Sequence, residues 1–275
     1  MVGLPLYDVS LLAPALESLL AQSYDDFAVV VCDDGSEEQG RAAVAPYLSA
    51  HVSYDHNPVR LGLTANWRRT FARARELHGG SAYFAWASDH DLWAPDWLGP
   101  LVDALDSAPS AVLAWPRTVA LDDEGRELGT TPGFDTTGLR SRRARFAATV
   151  LGVPAGDMVY GLFRADALER CGMFADVLLP DRLLLAELSL LGTFRHVPEA
   201  TWRRRYRAGV VASRERQLDS FFPAGAPRTA ERRWPLQHAA AFVRTMTPVL
   251  GRARALLYGL YLLALASVYY VRSRP

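Results

Sequence analysis

The stretch FAVVVCDDGS, Phe27–Ser36, decides the architecture. Phe27–Cys32 is a continuous apolar run with three valines in a row. Such a run predicts a strand covered on both faces, as in a parallel sheet between layers of helix. It stops abruptly at Asp33-Asp34-Gly35-Ser36, where turn formers end the strand. The same arrangement recurs further on, where the apolar strand Tyr83–Ala87 is cut off at Ser88-Asp89-His90-Asp91. Around these two strands the pattern alternates. Val2–Leu6 reads as a shortened first strand broken by Pro5, His51–Asp55 as a short strand, and Ala111–Trp115 as another. Helical spacing is predicted over Ala13–Gln22, Glu37–Leu48, Leu63–Leu77 and Pro95–Leu105, with Pro14 tolerated in a first turn. Alternation of this kind predicts a three-layer α/β/α sandwich around a mixed, mostly parallel sheet. Polar loops over 122–145 follow, then helices at Ala165–Cys171 and Pro180–Leu191, and a short edge strand at Thr193–Pro198. After Thr201 the composition turns to Arg, aromatic residues and Ala, which sets a boundary near 200–210.

Charge sharpens that boundary. The 275 residues carry 30 basic and 30 acidic side chains, a formal net of zero, and every basic one is Arg. Residues 1–200 hold 16 Arg and 27 acids, a net of −11, whereas residues 201–275 hold 14 Arg and three acids, a net of +11. The zero is a cancellation between unlike parts. An even balance excludes a uniformly basic chain, and no nucleic acid is expected as a partner. Apolar residues at 50% and charged ones at 22% describe a globular chain. Two cysteines, Cys32 and Cys171, supply neither a disulfide framework nor metal-ligand spacing, so a reducing compartment is expected. No basic run followed by an apolar stretch opens the sequence, so no secretory leader is expected.

The two acidic turns carry the chemistry. Ligands of open α/β sheets bind beyond the carboxyl ends of the strands, and loops from neighbouring strands meet there. Carboxylates gathered at one sheet edge repel unless something cationic or hydrogen-bonding joins them. A divalent metal on phosphate oxygens does so, as do ribose hydroxyls and base N–H groups. One such turn alone is an ordinary strand end or helix cap; two, each ending a buried strand, argue for a site.

Five segments in order, VGLPLYD, LESLLAQSYDDFAVVVCDDGS, NPVRLGLTAN, SDHDLWAPDWL and YGLFRADALERCGMF with the following LPDRLLLAELSLLGTFRHVPE, closely resemble the family 2 glycosyltransferases of GT-A fold. The resemblance covers about residues 1–205. It implies a nucleotide-sugar-binding half at 1–115, an acceptor-binding half of the same domain at 116–205, and a basic helical extension at 206–275. It also implies inverting transfer of a sugar from a nucleoside diphosphate, a UDP-sugar being favoured, to a hydroxyl of a glycan or lipid-linked acceptor. Pro5 and Tyr7 match the first-strand motif that packs on the base, with Asp8 where Asn is usual. Asp34 matches the base-contacting carboxylate, and Asp33 supports the same pocket. Arg60, Gly62 and Asn66 lie in the segment that closes over the nucleotide. Asp89-His90-Asp91 occupies the metal-binding DXD position, for Mn2+ or Mg2+. Here Ser88 and His90 stand where two Asp are usual, so His90 either binds the metal, favouring Mn2+, or points away and leaves the role to Asp91.

Inverting transfer needs a base apart from the metal, to take the acceptor hydroxyl's proton. Asp181 matches the family's base, and as a residue it also reads as a helix cap after Pro180; Asp176 and Glu187 are weaker candidates. Gly161 and Arg164 match an acceptor-side stretch, and otherwise read as a turn glycine and a surface Arg. The run Arg140–Arg145 could meet an anionic acceptor, or be simply solvated. Within WRRRYR, Arg205 is assigned to the diphosphate, with Arg207 as the other choice; the family's His is absent. A nucleotidyltransferase is the alternative enzyme, but Pro5–Pro14 lacks the glycines and basic residue its phosphate loop needs. A non-catalytic, membrane-tethered relative is the other alternative, suggested by the short first strand, Ser88 and His90.

Ala255–Val271 contains 17 uncharged residues between arginines. As a helix it spans about 26 Å at ~1.5 Å per residue, short of the ~30 Å hydrocarbon core. Packing on the domain, lying in one leaflet and spanning are the three readings. Because this helix and the +11 charge coincide, an anionic membrane surface is expected as a partner, at the cytoplasmic face of the cell membrane.

Overall fold

The computed structural model describes residues 1–153, 156–206 and 230–272. Its centre is one sheet. Three parallel strands come first in space, β3 (Val52–His56), β2 (Val29–Asp33) and β1 (Val2–Leu6), followed by the parallel β4 (Tyr83–Trp86). Beyond β4 lie the antiparallel β8 (Leu162–Arg164), then β6 (Ala111–Leu121), β9 (Thr193–Arg205) and the two-residue β5 (Leu92–Trp93). Strand β7 (Glu127–Thr130) hairpins onto β6. Register aligns Leu6 with Asp33 and Asp33 with His56, so Tyr7, Asp34 and Asn57 emerge side by side from one edge.

The period of two sorts the β2 valines into two layers. Val29 and Val31 pack with α1 (Leu12–Leu20) and α4 (Leu98–Asp106), whereas Val30 and Cys32 pack with α3 (Leu63–Leu77) and α7 (Pro180–Leu191). This is the three-layer sandwich that the doubly apolar run predicts. The short helices α2 (Glu37–Val44) and α6 (Ala165–Glu169) cap the sheet. A third core joins α5 (Arg142–Gly152) and α7 to an antiparallel hairpin of α8 (Ala230–Leu250) and α9 (Arg252–Arg272), through Phe146, Leu183, Leu190, Phe242, Met246 and Leu262. Gly251, at φ 78, makes the turn.

Several boundaries differ from the sequence reading, each for a physical reason. The helix from Glu37 ends at Val44 instead of Leu48, because Pro46 cannot donate, and the chain tightens into a 3-10 turn. The helix expected from Pro95 starts at Leu98, since the carbonyls of Ala94 and Pro95 accept from Gln22 Nε2 and Ser23 N, both at 2.8 Å. The expected edge strand at Thr193–Pro198 is a 13-residue strand lying between β6 and β5. A register shift opposite Pro116 and Arg117 absorbs Pro198, whose missing donor a regular ladder could not accept. The polar segment 122–145 contains β7 and the start of α5, and the helix from Ala165 stops at Glu169. No helix among the described residues is long and apolar enough to cross a membrane.

Candidate active site

At the sheet edge, the two aspartates after β2 do different work. Asp33 turns inward: it accepts from Tyr54 Oη at 2.7 Å and Gly35 N at 2.8 Å. Gly40 lies so close that a Cβ there would stand 1.9 Å from Asp33 Oδ2. Asp34 organises the next loop. Its Oδ1 accepts from Asn57 Nδ2 at 3.0 Å and Leu61 N at 2.6 Å, and its Oδ2 from Gly62 N at 2.8 Å. Gly62, at φ 83, lets the chain turn into α3. Asn66 completes the network, accepting from Asn57 Nδ2 at 2.9 Å and donating to Cys32 O at 3.0 Å. The result is a cavity of about 130 Å³ lined by Pro5, Tyr7, Asp34, Arg60, Gly62 and Asn66. The Arg60 guanidinium lies 4.5 Å from the centre of the exposed Tyr7 ring. Pro5, Tyr7, Asp34 and Arg60 are thus brought together, with Asp33 beneath them as a support.

The second acidic turn touches this cavity wall directly. Asp89 Oδ2 accepts from Tyr7 N and Asp8 N, both at 3.0 Å, and Oδ1 lies 2.6 Å from His90 Nδ1. Asp91 is buried more deeply: Ser88 Oγ donates to Oδ2 at 2.5 Å and Arg205 N to Oδ1 at 2.8 Å. Burial pushes the Asp91 carboxyl above its ordinary pKa, against the pull of His90 and the Ser88 hydroxyl. His90 Nε2 is 3.9 Å from Asp91 Oδ1, so the ring sits between the two acids. Among the described residues no three His, Cys, Asp or Glu side chains form a metal cage by themselves. The donor set fits a divalent ion of another kind. Mg2+ and its relatives are commonly held by one or two carboxylates with substrate phosphates supplying further oxygens. Asp89, His90 and Asp91 are the side chains at this turn that could hold such an ion.

Across the cleft, Asp181 occupies the first turn of α7 behind Pro180. Burial raises its pKa, opposed by the Arg182 charge and the N–H groups of the helix start. A Cβ on Gly156 would stand 3.6 Å from Asp181 Oδ2 and 3.8 Å from Arg204 Nη1, so Asp181 and Arg204 flank that glycine. Arg204 is anchored by Asp157 at 2.6 Å and lies 4.7 Å from the Tyr206 ring centre. Tyr160 stacks on Trp202 at 4.4 Å. The two weaker candidates for a base are engaged elsewhere. Asp176 pairs with Arg68 and Thr64, each at 3.0 Å, and Glu187 is buried, accepting from Gly172 N at 2.8 Å and from the Thr245 hydroxyl.

Arg205 contributes its backbone N–H to Asp91, and its Nε is buried without a hydrogen-bond partner. Arg207 lies outside the described residues. Arg164 is far from this cleft; it binds the carbonyls of Leu105 and Ala111, both at 2.7 Å. Gly161 packs against Ala114 O, which a Cβ would approach to 2.5 Å. Arg145 is also structural, donating to Ser189 O, Leu139 O and Arg140 O. Asp157, Tyr160 and Arg204 were not singled out from the sequence. A signal existed for Arg204: strand alternation puts it on the face of Trp202, opposite Arg203 and Arg205. A larger cavity, about 620 Å³, opens at the other end of the strands beside Met1, Tyr24, His78 and Asp106. It is remote from both acidic turns and lacks their constellation.

Known proteins resemble this arrangement. The family model described as glycosyl transferase family 2 matches residues 2–172, which include both acidic turns and end before Asp181. TarS of S. aureus, solved for its residues 1-349, superposes with a TM-score of 0.56 at 15% identity, over 98% of this chain and 88% of that one. The mannosyltransferase PcManGT from Pyrobaculum calidifontis, in complex with GDP-Man and Mn2+, superposes with a TM-score of 0.56 at 17% identity, over 100% and 87%. GalNAc-T7 with UDP, GalNAc and Mn2+ gives 0.55 at 14% identity, over 86% of this chain and 53% of that one. At these identities the likeness establishes the fold, which is GT-A.

Proposed function

This chain belongs to glycosyl transferase family 2, and on that premise we propose that it transfers a sugar, with inversion, from a nucleoside diphosphate to a hydroxyl of a glycan or lipid-linked acceptor. One observation carries the reading. Asp89 ties the wall of the cavity, through Tyr7 N and Asp8 N, to the acidic turn. Asp91 ties that turn, through Arg205 N, to the strand that brings Arg204 beside Asp181. These bonds support a reading in which a nucleoside site, a diphosphate site and a base share one connected network.

In this reading the base of the nucleotide enters between Tyr7, Asp34 and Arg60, and the small cavity suits a single ring, hence a UDP-sugar. Arg205 is the residue assigned to the diphosphate, its backbone N–H already holding Asp91 of the acidic turn. Asp89, His90 and Asp91 would hold a Mn2+ or Mg2+ ion, which would neutralise the charge of the departing phosphate. The Asp181 carboxylate takes the proton of the acceptor hydroxyl as that oxygen bonds to the anomeric carbon. The carbon–oxygen bond to the diphosphate breaks on the opposite face, and its electron pair leaves with the phosphate. The reaction is set at the cytoplasmic face of the cell membrane, where the +11 tail meets anionic lipid.

Nucleotide sugars screened for thermal stabilisation with and without Mn2+ identify the donor, since ligand binding raises apparent stability by mass action. A UDP-sugar is expected to give the largest metal-dependent shift. No shift with any nucleotide sugar would overturn the donor assignment.

A further inference from the structure

We propose that the outward face of the α8–α9 hairpin docks on an anionic lipid surface, with α9 lying along the membrane plane. In α9 one stripe packs inward, through Ala255, Leu262 and Ala266. The opposite stripe is apolar too. Leu256, Leu257 and Leu260 are 46%, 66% and 66% exposed. Ala253 and Ala264 are also exposed and share their face by three- and four-residue spacing. A row of leucines turned to water is not what a helix packed only on its own domain would carry.

Two observations select the occupant. Arg252 and Arg254 are exposed at the start of the stripe, and the hairpin sequence 230–272 carries six Arg against one acid. A second copy meeting this face by two-fold symmetry would bring like charge against like charge. An anionic lipid surface answers both features at once: headgroups meet the arginines and acyl chains the leucines. Since α9 is not apolar enough to cross, it lies in the interface.

The docking has a consequence for the acceptor. Helix α8 holds the segment leading to Asp181: His238 Nε2 is 2.6 Å from Leu178 O, and Thr245 bonds Glu187. A hairpin seated on lipid therefore keeps the base loop at the membrane, which favours an acceptor carried on a lipid. This last step rests on Asp181 being the base; the docking itself does not.

The test is flotation of the full chain with phosphatidylglycerol-rich vesicles against vesicles of phosphatidylcholine alone. Wild type is expected to float with the first and not the second. Replacing Leu256→Ser, Leu257→Ser and Leu260→Ser together is expected to lower partitioning about a hundredfold. Arg252→Gln with Arg254→Gln is expected to lower it about thirtyfold. Because these side chains are exposed, thermal midpoints are expected to stay unchanged. Absence of wild-type binding to the anionic vesicles, or undiminished binding by the leucine variant, overturns the proposal. So does sedimentation showing a dimer that the leucine variant dissolves without any effect on vesicles. Thermal stabilisation by nucleotide sugar, measured without vesicles, reads the donor site separately, so failure of one reading leaves the other standing.

Discussion

The two sides of the cleft are built by opposite means. On the donor side, carboxylates at strand ends are filled by N–H groups of nearby loops: Asp34 by Leu61 and Gly62, Asp89 by Tyr7 and Asp8. All lie within the first 115 residues and at the mouths of adjacent strands. On the side proposed for the acceptor, side chains from distant segments bond one another or a distant carbonyl: Asp157 with Arg204, Asp176 with Arg68, Glu187 with Thr245, and His238 with the Leu178 carbonyl. The difference would separate two tasks. The site proposed for the donor is built into the sheet itself. The site proposed for the acceptor is assembled around Asp181 by pieces that include the C-terminal hairpin.

Asp181→Asn should break the comparison most sharply. It keeps shape and removes the proton acceptor, so turnover is expected to fall about a thousandfold or more. Donor affinity by calorimetry is expected to stay unchanged, and thermal stability to hold or rise, since a carboxylate whose charged form the fold disfavours is removed. Turnover near wild type would dismiss Asp181 as the base. Because burial raises its pKa, the acid limb of the rate profile should lie above the ordinary Asp range, with activity lost as pH falls through it.

Asp34→Ala tests the other side, where stability and donor binding should fail together. It leaves Asn57 Nδ2, Leu61 N and Gly62 N without their acceptor. Roughly 2–4 kcal/mol of stability should be lost, read by denaturant titration, with donor binding weakened in parallel. Loss of binding at full stability would mean Asp34 touches ligand without shaping the loop.

A subtler contrast lies within the acceptor side. Burial raises the Glu187 carboxyl to about 7 and lowers His238 to about 4. The Thr245 hydroxyl, Gly172 N–H and Arg244 oppose the first shift; the Leu178 carbonyl opposes the second, and Arg182 adds to it. A raised acid favours the folded state at low pH and loses that contribution as pH climbs through about 7. A lowered His does the reverse, its contribution being lost as pH falls toward about 4. The two slopes oppose over nearly the same window. Glu187→Gln should therefore become relatively more stable as pH rises, and His238→Gln relatively less, each by up to ~3 kcal/mol against wild type. Parallel pH–stability curves for wild type and both variants would show that neither group titrates in the fold. His238→Leu, which also removes the bond to Leu178 O, should lower turnover several-fold more than His238→Gln, as steady-state rates would show.

This contrast also explains what could be read from the sequence. The layers followed from the FAVVVC run because a doubly covered strand leaves a local signature. Asp34 and Asp89 were legible because each sits where such a strand ends. Helices Leu63–Leu77 and Pro180–Leu191 were read with the observed bounds, their spacing being undisturbed by proline inside. Strand β9 was cut short at Pro198, since a bulge that accommodates proline is created by its partner strand. Asp157 stayed hidden because no residue type or spacing marks its pairing with a residue 47 positions away, although the alternation along β9 sets Arg204 apart from Arg203 and Arg205.

Leu179 carries a further consequence. It sits at φ 55, in the left-handed region that a branched side chain disfavours, one residue before Pro180 and two before Asp181. Leucine in that conformation costs roughly 1–2 kcal/mol more than glycine would. Where that gain exceeds the unfolded-state freedom that glycine adds, the chain has a route to greater heat resistance next to Asp181, the proposed base. Selection for thermal tolerance should favour Leu179→Gly and, by loosening the aim of Asp181, slow the enzyme; unchanged turnover in a stabilised Leu179→Gly would show that the aim is set elsewhere. Durability and speed would then compete at a single backbone angle.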